Sequence, residues 1–240
     1  MLDPSKQQFQ LGTALLVKGD LDGSIAALTE ATRLDPDYRV AHYQLGVALQ
    51  RKGAVIDAIA SFRQAIRLDP AYVEAYVDLG EALLPDRLGE ASSVFHEAVR
   101  LNPHHARAHL GLGRVLQSLG SPSAAETEFR TAISLDPGLA QAHVGLGHLL
   151  LQRAATATLL KRLIHGPELL RLEAAALTAF RQALHVQPNC AAARVGIGDV
   201  LLAQGHTFRA RAQYEEAIRQ GEPAESLQSR LSALPDATTS

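Results

Sequence analysis

The chain has 240 residues, 47% of them hydrophobic and 20% charged, which suits a folded globular protein and excludes a disordered or fibrous one. Lys+Arg 23 against Asp+Glu 25 leave a formal net charge of −2, without the electrostatic footprint expected of a nucleic-acid or anionic-membrane binder. A single cysteine excludes an internal disulfide framework and a thiol-rich metal site, and fits a reducing compartment.

The start, Met1-Leu2-Asp3-Pro4, has no basic region followed by an apolar run, and no stretch reaches about 18 uninterrupted apolar residues. The expectation is a cytoplasmic protein with no membrane insertion. Along the chain, Gly12, Gly46, Gly80, Gly113, Gly147 and Gly198 each follow Leu or Ile, at separations of 34, 34, 33, 34 and 51 residues. After each glycine comes a small residue: Ser24, Ala58, Ala91, Ala125, Ala176 and Ala210. Four positions further stand Leu28, Phe62, Phe95, Phe129, Phe180 and Tyr214, and three beyond those Ala31, Ala65, Ala98, Ala132, Ala183 and Ala217. Pro36, Pro70, Pro103, Pro137 and Pro188 close the first five units.

These spacings predict two helices per unit. Leu45, Gly46 and Leu49 fall on one face of a first helix, and Ala58, Phe62 and Ala65 on one face of a second. Glycine and alanine at the crossing allow close backbone approach, and the aromatic fills the space between units. Gly19-Asp20, Gly53-Ala54 and Gly120-Ser121 mark the turn inside a hairpin, and proline ends each second helix because it lacks an N–H.

The units resemble the tetratricopeptide repeat, whose pattern places Leu-Gly, Ala, Phe, Ala and Pro at these offsets. That resemblance implies an all-α fold: a right-handed α-solenoid of six helix-turn-helix repeats. The expected bounds are about 5–38, 39–72, 73–105, 106–139, 140–190 and 191–222. A capping helix over 223–234, striped by Leu227, Leu231 and Leu234, would complete a single array over 1–234, with 235–240 as a flexible tail. Repeat three is a residue short, and Pro85-Asp86 would tighten its inner turn.

The fifth repeat is enlarged. Gly147 to Pro188 spans 41 residues where a regular unit has 24, so 17 residues are added, with Gly166-Pro167-Glu168 as the stop and restart of two lengthened helices. Either Leu159, Leu163, Leu169 and Leu172 zip the hairpin against itself, or Leu160, Ile164 and Leu170 contact a partner or a second copy.

The resemblance also implies a working surface, since members of the family commonly hold peptides or helices along the concave side of the first helices. Mapped onto this chain, the apolar column is Phe9, Tyr43, Val77, Leu110, Val144 and Val195. Four residues on stand Thr13, Val47, Glu81, Arg114, His148 and Asp199. Phe9 and Tyr43 are aromatic anchors, and Arg107 and Arg114 are suited to a carboxylate, unless they pair with Glu74, Asp78 and Glu81 of the neighbouring repeat. The lysine and asparagine clamp by which some family members grip chaperone tails has Phe9 and Thr13 in its place here, so that partner is disfavoured.

The expected function is therefore a non-enzymatic adaptor that binds a peptide or amphipathic helix of a partner protein, without cofactors. The alternative is a self-assembling scaffold joined through the enlarged hairpin. A fragment of a larger enzyme is disfavoured by the Met1 start and the terminal cap. His42, His109 and His143 share one repeat position and read as packing residues, with no metal site expected. His148 is the histidine placed to sense pH. No nucleophile elbow or phosphate-cradling glycine loop occurs, and Cys190 reads as structural.

Overall fold

A computed structural model describes residues 3–84, 86–159 and 166–234. Among them the chain forms thirteen α-helices and no strand. They are α1 Pro4–Lys18, α2 Leu21–Leu34, α3 Arg39–Lys52, α4 Val55–Leu68, α5 Val73–Leu83, α6 Leu88–Leu101 and α7 Ala106–Ser118. There follow α8 Pro122–Leu135, α9 Ala140–Leu159, α10 Gly166–Val186, α11 Ala191–Ala203, α12 Thr207–Arg219 and α13 Ala224–Ser232. The helices form two compact units, Met1–Val115 and Leu116–Ser240, each a stack of antiparallel hairpins. No described helix is long and apolar enough to cross a membrane.

Local chemistry sets the helix ends. Asp3 starts α1 by accepting the Ser5 N–H at 3.0 Å, and Asp20 starts α2 by accepting from Gly23 at 3.0 Å. Gly19 and Gly53 end α1 and α3 at φ of 82° and 84°, a left-handed conformation that L side chains rarely adopt. The chain then reverses into α2 and α4. The Asp-Pro and Asn-Pro pairs stop α2, α4, α6 and α8 in extended geometry at Asp35, Asp69, Asn102 and Asp136.

The core is the glycine–aromatic crossing that the periodicity anticipates. A Cβ on Gly46 would meet Phe62 at 2.6 Å, on Gly80 Phe95 at 2.6 Å, and on Gly147 Phe180 at 2.7 Å. In each pair the first helix lies close against the ring of its own second helix. A second glycine, from the next unit, also lies against that ring. Gly111 lies on Phe95, Gly145 on Phe129 and Gly196 on Phe180. Phe62, Phe95, Phe129, Phe180 and Tyr214 are accordingly fully buried.

The first repeat keeps this plan with aliphatic parts: Leu28 takes the aromatic position against Gly12, and the buried Ser24 hydroxyl donates to the Gly12 carbonyl at 2.8 Å. At the other end Leu227 of α13 and Leu234 just after it cover the apolar side of α12, in one cluster with Tyr214 and Ala217. Arg211 donates to the Leu231 and Leu234 carbonyls at 3.0 and 2.8 Å, tying down the end of that cap.

The enlarged hairpin has the two long helices expected, α9 with 20 residues and α10 with 21. α10 begins at Gly166, where the restart was read. Of the hairpin leucines, Leu172 packs into the cluster around Phe180, whereas Leu170 is 63% exposed. Leu160, Leu163 and Ile164 lie outside the described residues, as do Pro85 and 235–240.

Candidate partner-binding surface

In the first unit the structure brings three of the sequence-predicted residues, Tyr43, Glu81 and Arg107, together at Asp78. Asp78, on α5, is only 7% exposed. Its carboxylate accepts the Tyr43 hydroxyl of α3 at 2.7 Å and an Arg107 guanidinium N–H of α7 at 2.8 Å. The same Arg107 nitrogen reaches Glu81 at 3.1 Å. One carboxylate thus ties together the first helices of three successive repeats. Burial, reinforced by the Asp78 charge, pushes the Tyr43 hydroxyl well above the ordinary tyrosine range, so it stays a donor. Among the neighbouring groups, Arg39 stacks 5.5 Å over the Tyr72 ring, and Tyr72 lies 4.9 Å from Tyr43.

Two charges at this point are negative and one positive. Arg107 pairs with the neighbouring carboxylates, as the alternative reading held, while Arg114 is exposed two turns along the same helix. Val77 and Leu110 are buried and contribute to packing. Phe9 and Val47 are partly buried against the cluster of Leu16, Leu28 and Ala48, and Phe9 also packs on Tyr38 at 5.1 Å. Thr13 donates its hydroxyl to the Phe9 and Gln10 carbonyls, each at 3.0 Å, within its own helix.

In the second unit, Val144 is partly buried against the Phe180 cluster and His148 lays its ring against Phe180 at 5.1 Å, edge on. That packed side lowers the imidazole below its ordinary range through desolvation, opposed by the Asp199 charge. Asp199 is engaged by the chain itself: it accepts the Tyr214 hydroxyl at 2.8 Å and pairs with Arg230 of α13 at 2.8 Å.

The three equivalent histidines have a common role. The Nε2 atoms of His42, His109 and His143 bond the carbonyls of Pro36, Pro103 and Pro137 at 2.9, 2.9 and 3.1 Å, always six residues back. Each imidazole closes the loop that its repeat's proline opened, pairing with the proline's own carbonyl. No group of three or more metal-ligating side chains occurs among the described residues. His105 begins α7 by accepting the Ala108 N–H at Nδ1, 3.3 Å away, and burial holds that imidazole below its ordinary range.

Asp78 was not among the predicted binding residues, yet its register carries a signal. It stands where later repeats have Gly111, Gly145 and Gly196, two residues before the repeat glycine and facing the preceding unit. A carboxylate at a position that the later repeats fill with glycine, and the first two with Gln10 and Gln44, is the cue that something polar must meet it.

Comparison with known proteins adds the family. The tetratricopeptide repeat pattern matches residues 9–72, 43–90, 86–140 and 174–225, more than half of the chain, and omits most of the insertion. No curated protein matches. Among solved structures, the MamA protein is 27% identical over 79% of this chain and 94% of its own, with a TM-score of 0.60. TTC0263, a thermophilic TPR protein of Thermus thermophilus, is 25% identical over 82% of this chain and 99% of its own, with a TM-score of 0.62. A chain of the APC/C hetero-tetramer Cut9–Hcn1 is 17% identical, covers 96% of this chain and 42% of its own, and shares the fold at a TM-score of 0.81. Such repeats are typically non-catalytic scaffolds that mediate contacts between proteins. With its glycine–aromatic hairpins in register and that match, the chain belongs to the tetratricopeptide repeat family.

Proposed function

We propose that the protein is a non-enzymatic cytoplasmic adaptor, its residues 1–234 working as one repeat array, that holds a peptide or amphipathic helix of a partner protein against its first helices. One observation carries this reading. The second helices spend their aromatics and alanines on internal packing, while equivalent first-helix positions in the first unit keep open surface at Thr13, Val47, Glu81 and Arg114. A preformed surface needs little ordering on its own side, so modest contacts yield useful affinity. Phe9, Tyr43, Val77, Arg107 and Leu110 shape it from beneath, and Val144, His148 and Asp199 are the equivalent positions of the second unit.

The test is affinity capture from native lysate with the wild-type chain and with the pair Val47→Arg, Arg114→Glu. Arg114 is exposed and Val47 only partly buried, so the melt is checked by circular dichroism first, and a folded variant is expected to lose the captured partner at least about tenfold. Equal recovery by a folded variant rules this surface out. The exposure of Leu170 favours a second reading, self-association through the enlarged hairpin together with Leu160 and Ile164. Light scattering of the full chain at high concentration reports a dimer or larger under that reading, and a strict monomer ends it.

A further inference from the structure

The proposed surface of the first unit has an order of chemistry along it, and resting on that reading we infer which kind of segment it takes. The equivalent positions Thr13, Val47, Glu81 and Arg114 stand on α1, α3, α5 and α7, spaced by 34, 34 and 33 residues. α1 packs on α3, α3 on α5, and α7 is tied to α5 through Arg107, so these positions form one row. The row begins apolar. Thr13 has its hydroxyl turned into its own helix, Val17 one turn further is 88% exposed, and Val47 follows.

The charged half comes next. Glu81 keeps 31% of its side chain exposed, and with Asp78 it sets two carboxylates against the single Arg107 guanidinium. That leaves an uncompensated negative charge at this step. Arg114 follows as an exposed positive charge. The row reads apolar, apolar, negative, positive.

The geometry points to an extended peptide whose side chains read, in matching order, apolar, apolar, basic, acidic. Packed helices are about 8–10 Å apart, and an extended chain advances about 3.3 Å per residue, so the four groups fall at every third residue. Each charge on the peptide then meets its opposite, and a peptide with the two charges exchanged meets like charge at both steps, which opposes binding.

Fluorescence polarisation on the full chain tests this with labelled 12-residue peptides bearing Leu, Val, Lys and Glu at every third position on a Ser/Gly background. The partner set exchanges Lys and Glu, and both sets are made in forward and reversed order. The Lys-then-Glu peptide is expected to bind about tenfold more tightly than its exchanged form, two solvent-screened pairs being worth about that much. Arg114→Glu should narrow or invert the preference while leaving the melt unchanged. Equal binding of the two sets, or a preference that Arg114→Glu does not move, overturns the charge order and leaves the surface itself standing. Binding of no peptide also overturns it, and the capture experiment then decides whether the surface is used at all.

Discussion

Gly111→Ala is expected to be among the most destabilising single-methyl changes available in the first unit. A Cβ at this point lies 2.6 Å from Phe95 Cδ1 and nearer still to Cε1 and Cζ, well inside the ordinary carbon contact of about 3.5–4.0 Å. The ring has little room to retreat, because it is also held by Gly80 of a second helix, where an added Cβ would stand 2.6 Å from Cζ. Overpacking of this kind costs about 1–3 kcal/mol, and a ring held by two helices belongs at the upper end. Alanine's better helix propensity returns about 1 kcal/mol, for a net loss of roughly 2 kcal/mol.

Urea unfolding of the full chain, followed by circular dichroism, measures that loss as a lower midpoint. Gly89→Ala is the control: it lies in α6 with nothing within 4 Å of an added Cβ, so it should be neutral or slightly stabilising. Phe95→Leu placed in the Gly111→Ala background should recover part of the loss by freeing volume. If Gly111→Ala unfolds at the same urea concentration as Gly89→Ala, the packing of two helices on the ring is wrong.

Asp78→Ala is expected to cost roughly 2–3 kcal/mol for a different reason. The backbone there accepts a small residue, since Gly111, Gly145 and Gly196 hold the same repeat position. The loss is therefore polar and not steric. It strands the Tyr43 hydroxyl without its acceptor and leaves Arg107 with Glu81 alone. Arg107 is 45% exposed, so water screens its share, and the figure stays below that of a fully buried pair.

Asp78→Asn keeps an acceptor for Tyr43 and gives up the charge, so about half the loss is expected. Tyr43→Phe should cost about 1 kcal/mol. A double-mutant cycle of Tyr43→Phe with Asp78→Ala isolates their coupling, expected at about 1 kcal/mol in favour of the pair. An Asp78→Ala protein within about 0.5 kcal/mol of wild type, the range of an ordinary surface change, would show that the three first helices do not depend on this carboxylate.

The outline of the fold was legible at particular residues. Glycine, small residue, aromatic and alanine recur at spacings that suit two crossing helices, and they mark Phe62, Phe95, Phe129 and Phe180 as core, where all four are fully buried. The enlarged hairpin and its restart at Gly166 followed from the same ruler. The candidate site was less legible. The row from Thr13 to Arg114 could be listed by register, but register does not say which of its charges are already taken. Arg107 and Arg114 look alike in the sequence. One is pinned by two carboxylates from α5, and the other is exposed.

The amino-acid order determined what repeats, because periodicity along a chain maps directly onto helix faces and helix faces determine what is buried. The folded arrangement alone decided who pairs across repeats. Asp78, Tyr43 and Arg107 lie 35 and 29 residues apart, and His42 meets the carbonyl of Pro36 only once the loop has turned. Hydrogen bonds depend on distances of a few tenths of an ångström and on direction, and those are set by how neighbouring helices seat on one another, not by any spacing within one.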